Sequence, residues 1–292
     1  MNYAARYEEL RRAAEDHLRR VTEREWQEIP HPLRDAMAYS LLSGGKRLRP
    51  VMLLAAHELL APMDETALRF AGALEMIHTY SLIHDDLPAM DNDTLRRGKP
   101  TCHVVYGEGM AVLAGDGLLS LAMEEMLSCA HPRATAAARF TAAAAGVRGM
   151  VAGQCLDLSL AGQEPTEETV SAIHRLKTAR LLTAPMEAGL TLAGADESQL
   201  EAGRTFGRLF GVAFQIQDDL LDLTGDEQAL GKHTGKDQAE GKLTWPALVG
   251  ADRAAIDAER MIGEACDCLE RAFGAEAGFL TAMARQSVCR SA

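Results

Sequence analysis

Apolar residues recur every three to four positions along almost the whole chain, and no stretch of strict alternation is long enough for a half-buried strand. That pattern restricts the fold to packed helices. Composition agrees: aromatic residues make up 5%, while Ala, Leu, Met and Glu, which lose little rotamer freedom in a helix, are plentiful. Helices are expected over roughly 4–24, 32–42, 48–60, 65–86, 109–130, 134–159, 167–189, 197–222, 246–274 and 276–286. Gly and Pro clusters separate them at Ser43-Gly44-Gly45, Ala61-Pro62, Gly98-Lys99-Pro100, His131-Pro132 and Gly162 to Pro165. Several segments, such as Met110 to Leu121, are apolar around most of their circumference, which calls for a central buried layer. The expectation is an all-α, single-domain bundle of about ten or more helices spanning 1–292, with no linker or repeat.

The net charge of −12 argues against nucleic acid, whose phosphates are neutralised by Lys and Arg. The six cysteines have no CxxC spacing and read as reduced small hydrophobes of a cytoplasmic protein. Cys266 and Cys268 fall on two sides of any helix. The start, MNYAARYEELRRAAEDHLRR, lacks an apolar signal core, and Val51 to Leu60 is too short to span a bilayer.

Two aspartate clusters stand out against this background. His84-Asp85-Asp86-Leu87-Pro88-Ala89-Met90-Asp91-Asn92-Asp93 and Gln215-Ile216-Gln217-Asp218-Asp219-Leu220-Leu221-Asp222 each run out of an apolar helix. Adjacent carboxylates in such a setting repel and protonate unless a cation holds them. Asp218 and Asp222, at i and i+4, share one helical face. Asp85 and Asp91 lie about 240° apart on a regular helix, so they meet only if the helix stops. Pro88 supplies the break, and the helix is expected to end near Leu87. Carboxylates without Cys or His select a hard ion, Mg²⁺ first and Mn²⁺ second.

Mg²⁺ completes its shell with water and substrate phosphate, so basic groups should stand nearby. Arg96 and Arg97 follow the first cluster, and Gly44-Gly45-Lys46-Arg47-Leu48-Arg49-Pro50 is a glycine turn with cations but without Walker spacing. From Thr224 to Lys242, four glycines interleave with Lys232, Lys236 and Lys242, which reads as a basic lid over a diphosphate. His78, Ser81 and Asp85 share one helical stripe, which makes His78 a diphosphate neighbour; His84 reads as structural.

Taken together, His84-Asp85-Asp86-x4-Asp91, Leu95-Arg96-Arg97-Gly98-Lys99-Pro100, Gly44-Gly45-Lys46-Arg47-Leu48-Arg49-Pro50, Lys177-Thr178 and Phe214-Gln215-x-Gln217-Asp218-Asp219-x-x-Asp222 resemble the trans-isoprenyl diphosphate synthases. The stretch from His78 to Val105 is most similar to the bacterial farnesyl diphosphate synthases. The resemblance spans roughly 35–250; after it the chain carries little motif content, and a basic C-terminus would fall to Arg285 or Arg290.

The resemblance implies an isoprenoid synthase fold and a Mg²⁺-dependent enzyme, with three ions per site, that condenses isopentenyl diphosphate with dimethylallyl or geranyl diphosphate. Asp85, Asp86 and Asp91 would bind metal on the allylic diphosphate, and Asp218 would take a further ion, with Asp219 and Asp222 supporting. Lys46, Arg49, His78 and Arg97 would hold isopentenyl diphosphate. Arg96, Lys177, Thr178, Gln215, Lys232 and Lys242 would complete the allylic site, and oxygens of Lys177-Thr178 and Gln215 would face the cation. A homodimer is also implied. Tyr80, about 7.5 Å below Asp85 along the helix axis, would floor the pocket beside Ser81 and set a C15 product. A C20 or C10 synthase is the alternative within this class. A non-catalytic partner subunit is disfavoured by two intact clusters. A metal phosphohydrolase is disfavoured because His57, His103 and His174 lack evident acidic partners.

Overall fold

The computed structural model describes residues 2–224 and 241–288. Its helices are α1 (Tyr3–Arg24), α2 (His31–Leu41), α3 (Leu48–Glu58), α4 (Glu65–Asp85), α5 (Cys102–Tyr106), α6 (Glu108–Leu127), α7 (Ala134–Ala145) and α8 (Met150–Leu160). They continue with α9 (Glu167–Ile173), a π-helical turn (His174–Ala179), α10 (Arg180–Ala193) and α11 (Glu197–Thr224). Beyond residue 240 come α12 (Trp245–Val249), α13 (Ala251–Phe273) and α14 (Gly278–Val288). The only sheet among the described residues is a hairpin of two-residue strands, β1 (Leu95–Arg96) and β2 (Lys99–Pro100). The all-α expectation holds.

Helix starts follow local chemistry. The Asp64 carboxylate accepts from Ala67 N (2.8 Å) at the head of α4, and Thr166 and Thr169 form a reciprocal capping box on α9. Two expected helices are each divided. The one expected over 134–159 breaks between Ala145 and Met150, where a Cβ on Gly149 would lie 2.0 Å from the Ala144 carbonyl oxygen. The one expected over 246–274 breaks at Gly250, whose φ of 86° suits glycine alone. The helix expected to run from 167 is likewise not regular: the π turn interrupts it, and it continues to Ala193.

The centre of the bundle is α10, where every residue from Leu181 to Leu192 is buried. It packs against α3, α7 and α11. The approach to α11 is unusually close. Gly203, Gly207 and Gly211 share one face of α11, and a Cβ on Gly211 would sit 2.5 Å from the Ala179 Cα. Backbone therefore meets backbone at the π turn, which brings that turn beside the second aspartate cluster. Among the described residues, no helix is long and apolar enough to cross a membrane. Cys102, Cys129, Cys155, Cys266 and Cys268 are free thiols; Cys266 is buried and Cys268 half-buried.

Candidate functional site

A cavity of about 920 Å³ opens between the turn before α3, the lower half of α4, α8, the π turn and α11. A second cavity of about 180 Å³ adjoins it. Asp85 and Asp218 line both. Aspartates 133 positions apart thus share one chamber, as the clusters' chemistry requires.

In the first cluster α4 ends at Asp85, two residues earlier than expected. The chain then turns back, and Asp91 N donates to the Asp85 carbonyl (2.9 Å), which sets the Asp91 carboxylate into the same small cavity. Asn92, at φ 50°, holds the reversal in left-handed backbone. Burial, with Asp91 and Asp86 nearby, pushes Asp85 up to about 6 against the pull of Lys177 and Arg96. Asp86 points elsewhere. It is buried and accepts from Arg96 Nε at 2.7 and 3.0 Å and pairs with Nη2 at 2.6 Å. It borders neither large cavity.

The second cluster divides less sharply, since Asp218 lines both cavities and Asp219 only the smaller one. Asp218 faces the chamber. Asp219 is buried and hydrogen-bonded: Gln215 Nε2 donates to Oδ1 (2.8 Å), while His174 Nε2 (3.1 Å) and Trp245 N (3.1 Å) approach Oδ2. Asp222 is buried and lines neither cavity. The acidic partner of His174 is therefore Asp219, contrary to the expectation that this histidine had none.

Lys46, Arg49, His78 and Arg97 converge on one wall of the large cavity. Burial lowers Arg49 to about 10, still cationic at neutral pH. Burial among Arg49, Arg97, Arg96 and Arg47 drives His78 well below the ordinary imidazole range, so it stands neutral in this wall. Arg97, at φ 54°, donates from Nη1 to the Gly44 carbonyl, and its guanidinium lies where a Cβ on Gly45 would fall. Tyr7 Oη donates to the Lys46 carbonyl (2.7 Å), tying the same turn to α1.

Arg96, Lys177, Thr178 and Gln215 stand around the aspartates, and Thr178 Oγ1 donates to Gln215 Oε1 (2.5 Å). Lys242 reaches back across the chain to Asp91 Oδ1 (3.4 Å). Lys232 and Arg290 lie outside the described residues. Tyr80 and Ser81 line the chamber below Asp85. Tyr80 is buried, and burial with Asp85 pushes its phenol up to about 12. His84, expected to be structural, has its Nε2 3.1 Å from the Val112 carbonyl and also borders the chamber.

Four contributors escaped the sequence reading. Arg47 and Glu75 form a buried pair (2.6 Å) behind the basic wall. Asp157 engages Lys177 Nζ (2.5 Å), and His174 engages Asp219. Asp157 had a signal: it is the only charged residue between Met150 and Leu160.

The donor set suits a hard divalent ion, since Asp85, Asp91 and Asp218 offer carboxylate oxygen, while the oxygens of Asp219 in the same cavity are taken by Gln215, His174 and Trp245. Among the described residues no three such groups form a ready metal cage. Mg²⁺ takes one or two carboxylates and draws further ligands from a substrate's phosphates.

The profile described as Polyprenyl synthetase matches residues 30–272. This chain belongs to that family of prenyltransferases. It is 47% identical to the farnesyl diphosphate synthase of Geobacillus stearothermophilus over 246 residues, 82% of each chain. It is 45% identical to geranylgeranyl pyrophosphate synthase 11 of Arabidopsis thaliana over 269 residues, 89% of this chain and 75% of that one. A Helicobacter pylori geranyltransferase, solved with magnesium and isoprenyl diphosphate, superposes with a TM-score of 0.87 at 30% identity, covering 98% of this chain and 97% of that one. The family member therefore has the isoprenoid synthase fold.

Proposed function

We propose that this family member joins isopentenyl diphosphate to dimethylallyl or geranyl diphosphate with Mg²⁺, making farnesyl diphosphate as a cytoplasmic homodimer. The observation that carries the reading is the shared chamber, lined by Asp85 and Asp218 together with Lys46, Arg49, His78 and Arg97. Two anionic groups can then be bound side by side, one by acid through metal and the other by cations directly.

Asp85, Asp91 and Asp218 would hold the ions, with Asp86, Asp219 and Asp222 supporting from behind. When bound, Mg²⁺ neutralises the charge of the departing diphosphate. Arg96, Lys177 and Lys242, and Lys232 of the same basic run, bind the allylic diphosphate. Lys46, Arg49, neutral His78 and Arg97 hold the isopentenyl diphosphate so that its double bond faces the allylic carbon. The oxygens of Thr178 and Gln215 border the positive charge that develops there. The new carbon–carbon bond forms from the isopentenyl double bond, and the proton lost restores an alkene, with the released diphosphate as its acceptor.

Farnesyl is favoured over longer products because Tyr80 stands under the aspartates with its ring against the chamber. Chromatography of the dephosphorylated alcohols after incubation with Mg²⁺, isopentenyl diphosphate and geranyl diphosphate tests the reading. A C15 alcohol is expected, abolished by chelator, and Tyr80→Ala should move product towards C20. A Tyr80→Ala profile identical to that of the unaltered chain would remove Tyr80 from the account, and no prenyl alcohol at all would remove the activity.

A further inference from the structure

The Asp219 carboxylate has no hydrogen to give, so every group in contact with it must donate. Gln215 Nε2 meets Oδ1 at 2.8 Å. An amide turned over would place its own oxygen there, two acceptors face to face. Asp219 therefore fixes which way the Gln215 amide points. Its oxygen, Oε1, is left towards Thr178, whose Oγ1 lies 2.5 Å away. Since Oε1 carries no hydrogen either, the threonine hydroxyl must spend its only proton on it. What remains of Thr178 Oγ1 and Gln215 Oε1 is lone pairs, and both residues line the large cavity. A chain of polarity thus runs from a buried carboxylate to the chamber wall, with each link decided by the one before.

The far end of the chain is also anchored. His174 Nε2 and Trp245 N both reach Asp219 Oδ2 at 3.1 Å, and the His174 and Asp219 side chains are each 3% exposed. His174 and Thr178 both sit in the π turn, while Gln215 and Asp219 are one turn apart on α11. The network therefore spans two elements whose backbones meet at Gly211.

We propose that Asp219 is a positioning residue rather than a metal ligand, and that His174 holds it: together they keep oxygen lone pairs of Gln215 and Thr178 aimed at the cationic carbon. The role rests on the prenyl-transfer reading and divides the second cluster by task, Asp218 for metal and Asp219 for polarity. An asparagine at 219 offers a donor as well as an acceptor. The Gln215 amide could then turn and present N–H hydrogens to the chamber.

The test compares the unaltered chain with Asp219→Asn, His174→Leu and His174→Gln. Two quantities are read: the single-turnover rate with geranyl and isopentenyl diphosphates in Mg²⁺, and Mn²⁺ affinity by electron paramagnetic resonance with inorganic pyrophosphate. Asp219→Asn should slow turnover about a hundredfold, the scale of a lost oriented dipole, and leave allylic KM and Mn²⁺ affinity within about threefold. His174→Leu should slow it at least about tenfold, and His174→Gln, whose amide keeps an N–H at similar reach, should recover most of that loss. Mn²⁺ binding weakened about tenfold in Asp219→Asn would make Asp219 a ligand and overturn the proposal. An unchanged rate in Asp219→Asn, or equal losses in the two His174 variants, would overturn it too. An unaltered chain that forms no prenyl product would overturn the function and this role with it.

Discussion

Each aspartate pair splits its labour between neighbours. Asp85 and Asp218 face the large chamber, whereas Asp86 turns back to Arg96 and Asp219, which borders only the smaller cavity, accepts from Gln215. Consecutive helical residues point about 100° apart, so this division follows from helix geometry once one of the pair faces inward. The chemical types at both clusters were plain in the sequence; which oxygen faces metal and which faces protein was not, because that depends on how each helix is rotated in the bundle. His174 was misjudged for the same reason, its acid lying 45 positions away. The Asp85 environment has a consequence for pH. Burial holds its carboxyl up at about 6, and a metal ion needs it ionised. About nine tenths is ionised at pH 7 but about one tenth at pH 5, so half-saturating Mn²⁺ should rise roughly tenfold between them. Calorimetric titration with pyrophosphate present would show this, and an affinity flat over that range would mean that Asp85 is not a ligand.

At the scale of elements, most helices were legible because apolar spacing, caps and Gly/Pro breaks all agreed. The exceptions have particular causes. Gly146 with Gly149, and Gly250 alone, lie inside otherwise helical patterns, where a glycine is usually tolerated, yet each site divides a helix. The π turn at His174–Ala179, between α9 and α10, lies in a stretch whose apolar spacing reads as one continuous helix. That turn carries Lys177 and Thr178, so the irregular element is also the functional one. The closeness of α11 to it makes a prediction with opposite signs. Gly263, on the exposed face of α13, has nothing within 4 Å of an added Cβ, whereas at Gly211 the Ala179 Cα lies 2.5 Å away. Gly263→Ala should stabilise by about 0.5–1 kcal/mol through reduced unfolded-chain freedom. Gly211→Ala should destabilise by about 1–3 kcal/mol through overpacking. Thermal unfolding of the two variants distinguishes these, and a Gly211→Ala protein as stable as its parent would mean that the helices sit further apart.

For the molecule as a whole, a net charge of −12 looks unsuited to diphosphate substrates. The arrangement of the chamber resolves this. Lys46, Arg49 and Arg97 line the chamber, and Arg96, Lys177 and Lys242 stand among its aspartates, where divalent ions would complete the reversal of the local field. Only the tertiary fold could show that the two clusters meet, although the cost of leaving either one unpaired gave a reason to expect it. Anomalous diffraction from crystals grown with Mn²⁺ and inorganic pyrophosphate tests this arrangement directly. Manganese should be coordinated by Asp85 and Asp91 on one side of the pyrophosphate and by Asp218 on the other. Manganese bound at only one cluster, or pyrophosphate held away from both, would contradict it.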